Sequence, residues 1–385
     1  MSGAVKMDYD VLVVGGGLTG TALALALSRT SHRVGLLEPQ PPNPPTEDWD
    51  SRIYAFSPGN VAWLATLGGW QAPLRAQPVL EMRIRGDAGG RLTMDALDAG
   101  LAELAWIAEN GRLQYALWQA VRDRGRVDVI VGAAEAVVWG GQTHALLLAD
   151  GRRLCARLLV GADGAHSWLR RQAGIAVDEE DYDQSGIVAN FETERPHRGI
   201  AFQWFRPDGV LAWLPLPGRR ISIVWSSRNA DVPERLAMPA ETFASRVAEA
   251  GGHALGALRL ITLPVAFPLK RRRARVCVRP GLVLIGDAAH TVHPLAGQGV
   301  NLGFRDGRLL AEMLASGGNP GEIGRLQAYA LRRVEDVASM QFATGGLKKL
   351  FNNHAPGLEW LRNTGLVITD RQEWLKQALM RHAVE

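Results

Sequence analysis

Between Tyr9 and Glu38 the chain reads YDVLVV, GGGLTG, TALALALSRT and HRVGLLE: an apolar run, a glycine turn, a small-residue run and a second apolar run ending in an acid. That order predicts strand, turn, helix and parallel strand, a βαβ unit. Gly15, Gly17 and Gly20 form G-x-G-x-x-G at the turn, with Leu18 and Thr19 between them. The first glycine permits the tight turn, the second lets a pyrophosphate approach the backbone, and the third lets helix and strand pack closely. The phosphates would rest on the helix N-terminus, where free amides and the dipole favour negative charge. Glu38 stands about 20 residues further on, where an acid accepts from ribose hydroxyls and disfavours a 2′-phosphate. Strand, helix and acid together favour a dinucleotide site over a glycine-rich structural turn.

The rest of the composition narrows the class. The 385 residues are 47% hydrophobic and 21% charged, enough for a cofactor-sized core in more than one domain. The formal charge of +4 is spread along the chain, so no nucleic-acid partner is expected. The densest basic run, Lys270 to Arg273, fits a solvated strand edge better than a polyanion site. Cys155 and Cys277 are far apart and lack metal-ligand spacing, so neither disulfides nor a metal centre are expected. The apolar stretch Val11 to Leu27 follows Asp8 and Asp10 and is crowded with glycines at its start, so it reads as a buried strand entering a helix rather than a signal or spanning segment. No other segment approaches the roughly 20 apolar residues that a spanning helix needs. A cytoplasmic protein, peripheral at most on the inner face of the membrane, is expected.

Along the chain, Pro39 to Pro45 forms a loop, Leu113 to Arg122 has helical spacing, and Val127 to Leu148 suggests consecutive antiparallel strands. Gly186 to Val265 changes to short alternating runs such as AFQWF, VLAWLPL and ISIVWSS, a separate antiparallel sheet. GLVLIGD and a helix from Val300 to Leu314 return to the α/β texture, and the remainder is amphipathic and helical. The fold class expected is α/β: a Rossmann-like domain with an inserted antiparallel sheet and C-terminal helices. Residues 1–75, 100–180 and 272–325 would form the discontinuous cofactor domain, 76–99 and 181–271 the substrate domain, and 326–385 the helical end.

Two further motifs sharpen the cofactor. In LLVGADGAHSWLRRQAG an apolar strand delivers Asp163 and Gly164 to a turn opening the helix that carries Arg170 and Arg171. In GLVLIGDAAHTVHPLAGQGVNLGFRDG, Asp287 ends a strand and Gly297 and Gly299 open a helix. An aspartate at the carboxyl end of a strand can accept from a ribityl hydroxyl. A glycine-flanked helix start can present amides to a ring oxygen that gains charge on reduction. These are the demands of a flavin. Each segment alone could be an Asp-Gly turn; with the first motif they point to FAD.

The three segments resemble, in order, the fingerprints of the single-component flavin hydroxylases related to para-hydroxybenzoate hydroxylase. WDSRIYAFSPGNVAWLATLGGW, ENGRLQYALWQA, GVLAWLPL with SIVWSS, and the ending LFNN, LRNTGL and LKQALMRHA look like the ubiquinone-biosynthesis hydroxylases, the UbiH, UbiF and UbiI group. The resemblance implies FAD contacts from Arg52 and Gln114, a pyrophosphate-side role for Asp163 and a ribityl role for Asp287. It also implies that Pro294, Gly297, Gln298, Gly299, Val300 and Asn301 line the isoalloxazine. Without it, Arg52 would read as a surface arginine and Gln114 as a helix cap. Val210 replaces the proline usual in that strand, and the chain ends in AVE, which loosens assignment to one member.

By the same resemblance NAD(P)H reduces the flavin transiently, oxygen adds at flavin C4a, and the distal oxygen passes to an electron-rich ring carried on a polyprenylated phenol or quinol. No metal is implied and no catalytic side chain is assigned. His290 and His293 invite a base assignment because histidine titrates near neutrality, but packing around the substrate pocket is the preferred reading. Trp204, Trp213 and Trp225 stand at strand spacing and suit core packing better than a substrate face. The segment Leu347 to Met380 mixes basic and apolar residues and fits equally a helix docked on lipid or on a biosynthetic complex and one packed on its own domain. The alternatives are a hydroxylase of a soluble phenol, a non-catalytic FAD-binding escort protein and a flavin reductase of isoprenoid double bonds.

Overall fold

The computed structural model describes residues 7–71, 74–291 and 299–334, with 370 and 372. Five parallel strands run through its centre in the order Leu282–Leu284, Arg153–Gly161, Tyr9–Val14, Val34–Glu38 and Val127–Val131. Both faces of this sheet are covered, so its strands must be apolar throughout. Val11, Leu12 and Val13 point alternately to the two sides and all are fully buried. Helices Leu18–Leu27, Asn110–Arg124 and Gly299–Leu314 cover one face. Trp168–Gln172 and the hairpin of Ala134–Val138 with His144–Leu148 cover the other. In Leu18–Leu27 every residue except Thr19 is buried, which explains why this helix carries no polar stripe.

One expectation is corrected. Val127–Val131 is not antiparallel to the strand after it; it pairs in parallel with Val34–Glu38, and only the next two strands form a hairpin. Helix Asn110–Arg124 is the crossover that returns the chain in the same direction. Alternation along a strand carries no information about its partner's direction.

The second sheet is wider than the run that suggested it. Its order is His290–Thr291, Val265–Ala274, Val177–Thr193, Arg220–Arg228, Gly209–Leu216, Ile200–Arg206, Glu81–Arg85 and Arg91–Asp95, with Leu258–Leu260 beside Val177–Thr193. All neighbours are antiparallel except Ile200–Arg206 and Glu81–Arg85. A smaller sheet of Ile53–Phe56, Ala105–Glu109 and Gln77–Val79 packs on it through Val79, Ile107, Ala201 and Leu216.

The basic run lies on Val265–Ala274, opposite an acidic stretch of Val177–Thr193. Lys270 pairs with Glu179 and Asp181, Arg271 with Glu180, and Arg272 with Glu179. Three of its four cations are thus held in ion pairs. Cys155 and Cys277 are free thiols, and burial pushes the Cys277 thiol up to about 11. Trp213 and Trp225 are buried beneath helix Ala240–Ala250, with Trp204 packed edge-on against Trp213 at 4.8 Å. The C-terminal readings from Leu347 to Met380 fall outside the described residues, apart from Asp370 and Gln372. Among the described residues no helix is long and apolar enough to cross a membrane, and no side-chain cluster could hold a metal.

Candidate cofactor and active site

The parallel register brings the three motifs to one rim. Val14 stands beside Gly161, and Gly161 beside Leu284. Gly15, Asp163 and Asp287 therefore leave adjacent strands at their carboxyl ends, and Glu38 leaves the strand on the other side of Tyr9–Val14. In an open parallel sheet this is where the ligand crevice forms. A cavity of about 1310 Å³ opens there, beyond the roughly 300–1,000 Å³ of a site for one small ligand. Gly15, Gly17, Leu18, Thr19, Glu38, Arg52, Gln114, Asp163, Asp287, Gly299, Val300 and Asn301 all line it. Gly20 does not; a Cβ there would stand 1.9 Å from the Gly15 carbonyl oxygen, so its role is helix–strand packing. Pro294, Gly297 and Gln298, with His293, lie outside the described residues.

The glycines have separate tasks. Gly15 has φ 107°, and a Cβ would meet the Ala162 carbonyl oxygen at 2.5 Å, so the first and second motifs touch through bare backbone. Gly17 is the N-cap of Leu18–Leu27 with φ −70°, and no side chain caps the helix. A Cβ on Gly17 would meet nothing within 4 Å. The first-turn amides are thus left for an anion.

Gly16, which the spacing did not single out, is the most heavily bonded of the turn. Its N–H donates to Glu38 Oε2 at 2.6 Å. Its carbonyl accepts from Trp118 Nε1 at 2.8 Å, Thr21 Oγ1 at 2.9 Å and Gln114 Nε2 at 3.0 Å. Gln114 and Trp118 share a helix face one turn apart, which was the available signal. Gln114 both lines the cavity and clamps the turn. Glu38 accepts a second bond from Gln40 N–H at 3.0 Å, and a carboxylate has about four acceptor positions, so it can still receive a hydroxyl.

Asp163 Oδ2 accepts from Leu169 N–H at 2.9 Å, while its buried Oδ1 has no partner. Arg170 ties the second motif to the third by donating to the carbonyls of Ala165 at 2.9 Å and Ala288 at 2.7 Å. Asp287 lines the cavity and is exposed to it. Burial raises its carboxyl above the ordinary carboxylate range, opposed by the charges of His290, Arg272 and Arg52.

Beneath the Gly286–Asp287 turn lies a buried charged cluster. Asp306 Oδ2 accepts from Gly286 N–H at 2.8 Å and lies 2.7 Å from His290 Nε2; Oδ1 accepts from Arg333 Nε at 2.6 Å. Burial alone would raise Asp306, but His290 and Arg333 hold it below the ordinary range. His290 does not line the cavity. It supports the turn that presents Asp287.

Asn301 is similarly committed. Its Nδ2 donates to the Ala55 carbonyl at 2.8 Å, and its Oδ1 accepts from Ser57 N–H and Asn60 Nδ2, both at 3.0 Å. It pins the start of Gly299–Leu314 to Ile53–Phe56, and its carbonyl also accepts from Asn60 Nδ2 at 3.3 Å. Tyr54, also missed in the sequence, lines the cavity beside Arg52. Burial raises its phenol; the charge of Arg52 opposes this and that of Asp287 adds to it.

The far wall is apolar. On Gly209–Leu216 and Arg220–Arg228, Ala212, Leu214 and Val224 line the cavity, while Leu211, Trp213, Ile223 and Trp225 point to the helix-covered core. Met82, Met94 and Leu104 extend this surface. These features fit FAD: an uncapped helix start with room at Gly17, an unpartnered carboxylate oxygen on Asp163, an acid at the end of the second strand and an aspartate at the third motif.

Comparison with known proteins agrees. An FAD binding domain family matches residues 8–341. The 3-demethoxyubiquinol 3-hydroxylase of Escherichia coli is 36% identical over 387 residues, spanning 97% of this chain and 98% of that protein. The ubiquinone hydroxylase UbiL of Rhodospirillum rubrum is 35% identical, spanning 100% of this chain and 91% of its own length. Among solved structures, p-nitrophenol 4-monooxygenase PnpA from Pseudomonas putida superposes with a TM-score of 0.80 at 19% identity, covering 99% of both chains. HpxO of Klebsiella pneumoniae, complexed with FAD, gives 0.75 at 16% identity, covering 97% of this chain and 98% of its own. Both show the shared fold. The chain belongs to the FAD-dependent aromatic-ring monooxygenases, in the group of the ubiquinone-biosynthesis hydroxylases.

Proposed function

We propose that the protein hydroxylates the aromatic ring of a polyprenylated phenol or quinol, a ubiquinone precursor. The observation that carries this reading is the continuous cavity that runs from three nucleotide motifs onto an apolar sheet wall. Its substrate class follows the near-full-length relatives, ubiquinone hydroxylases in name; they lend no support to a soluble-phenol hydroxylase, an escort protein or a double-bond reductase. In this reading the amides after Gly17 receive the pyrophosphate, Asp163 stands on the pyrophosphate side, Glu38 takes a ribose hydroxyl, and Asp287 a ribityl hydroxyl. Arg52, Gln114, Val300 and the segment Pro294 to Asn301 complete the FAD contacts.

Bound FAD, reduced by NAD(P)H, supplies the oxygen activation. The chain supplies the rest: apolar walls that exclude water, a surface of Met82, Met94 and Leu104 for the prenyl chain, and a fixed ring position. In the same reading residues 1–75, 100–180 and 272–325 hold the cofactor and 76–99 and 181–271 the substrate; the helical end read over 326–385 lies mostly outside the described residues. A prenylated substrate partitions into lipid, which places the enzyme peripherally on the inner face of a membrane, alone or in a biosynthetic complex. Quinone extraction and mass spectrometry from a deletion strain test the reading: a precursor lacking one ring oxygen should accumulate. Unchanged quinone content, without a redundant hydroxylase, overturns it.

A further inference from the structure

Across the antiparallel sheet, Gln203, Ala212, Val224, Val188 and Val265 stand opposite one another in successive strands, and all line the cavity. Four of the five are apolar. Gln203 is only 7% exposed, and its amide has no hydrogen bond to any described residue. The neighbouring polar group in the wall, Ser226, is engaged with its own sheet: its Oγ accepts from Val210 N–H at 2.8 Å. The strand ladder is complete without the Gln203 side chain. The amide opens onto the cavity, and no contact within the sheet requires it. Apolar ligand sites place a few such groups to fix orientation.

We infer that Gln203 is the polar anchor for the oxygen substituent of the substrate ring. This rests on the reading that the substrate is a prenylated phenol or quinol. An amide donates through Nε2 and accepts through Oε1, so it can pair with a ring hydroxyl in either sense. Held at one polar point on an otherwise apolar wall, the ring presents a single edge to the reacting oxygen, and the prenyl chain is left to the apolar surface. Gln203 thereby selects substrate and hydroxylated carbon together.

The test compares FAD-loaded wild type with Gln203→Leu and Gln203→Met, using 2-geranylphenol and geranylbenzene, which lacks the ring oxygen, as probes. Dissociation constants come from perturbation of the flavin absorbance, and coupling from the ratio of hydroxylated product to hydrogen peroxide. Wild type should prefer the phenol by about tenfold or more, since a site built around a hydrogen bond rejects the ligand lacking it. Both variants should load FAD, melt no lower than wild type, bind the two probes alike and divert reducing equivalents to peroxide. A phenol preference retained in the variants, or absent from wild type, overturns the role of Gln203 alone. If FAD-loaded wild type binds neither probe, the substrate reading falls and the anchor with it. Loss of FAD from both variants would assign Gln203 a folding role instead.

Discussion

Replacing Gly17 with alanine separates the fold from its cofactor. In the apoprotein the change should be almost neutral. The backbone at φ −70° and ψ −173° suits any residue, and a Cβ meets nothing within 4 Å. The unfolded chain loses freedom, a gain of about 0.4–1 kcal/mol, and alanine is a poorer N-cap than glycine by a similar amount. The net change should be within about 0.5 kcal/mol. A pyrophosphate resting on the first-turn amides would, however, collide with the new methyl. Losing one charge-assisted hydrogen bond, about 1.5–3 kcal/mol, corresponds to roughly 10- to 100-fold weaker FAD. At an FAD concentration of about 100 times the wild-type dissociation constant, ligand stabilisation should fall from about 2.7 kcal/mol to about 1.4 kcal/mol for a tenfold loss. Gly15→Ala is the control: at φ 107° with a Cβ 2.5 Å from the Ala162 oxygen, it should destabilise the apoprotein itself by about 1–3 kcal/mol. Flavin-fluorescence titration and thermal melts with and without FAD read both effects. Wild-type FAD affinity in Gly17→Ala would refute the placement of the pyrophosphate.

Three further outcomes concern ionisable groups of the third motif and its surroundings. Asp287→Asn should weaken FAD, read by flavin-fluorescence titration, because it removes a charged acceptor at the cavity rim. Asp306→Asn should cost about 3–5 kcal/mol by stranding His290 and Arg333. Asp306 sits below its ordinary range, so its contribution is present above the unfolded value and lost as pH falls through the native one; melts of the variant and wild type should converge in acid. With its thiol pushed up to about 11, half-buried Cys277 should resist alkylation at pH 8 in the folded protein and react once denaturant is added; rapid native labelling would contradict the raised thiol.

The parts of the site that were legible in sequence are those whose chemistry is local. A glycine needed for a turn, an acid at a strand end and a helix start all lie within a few residues of the backbone they serve, so Gly15, Gly17, Glu38, Asp163 and Asp287 could be named. The supports were not legible because their partners are distant in the chain. Trp118 and Gln114 reach Gly16 across about a hundred residues, and Asn301 reaches Ala55 across 246. His290 invites a base assignment by residue type, but packing is the preferred reading of the sequence, and its contact with Asp306 gives that packing a form: a brace beneath the Gly286–Asp287 turn.

The substrate wall shows a different limit. Strand alternation separates two faces of a sheet but does not say which faces the core. On Gly209–Leu216 and Arg220–Arg228 one face carries Leu211, Trp213, Ile223 and Trp225, the other Ala212, Leu214, Val224 and Ser226. The larger side chains go to the core because helix Ala240–Ala250, with Phe243 and Val247 buried, leaves volume that only such residues fill. The smaller ones then face the cavity, and their size is what keeps it open. Tryptophans at strand spacing therefore mark the side away from the substrate, and the lone amide among small residues, Gln203, marks the side towards it.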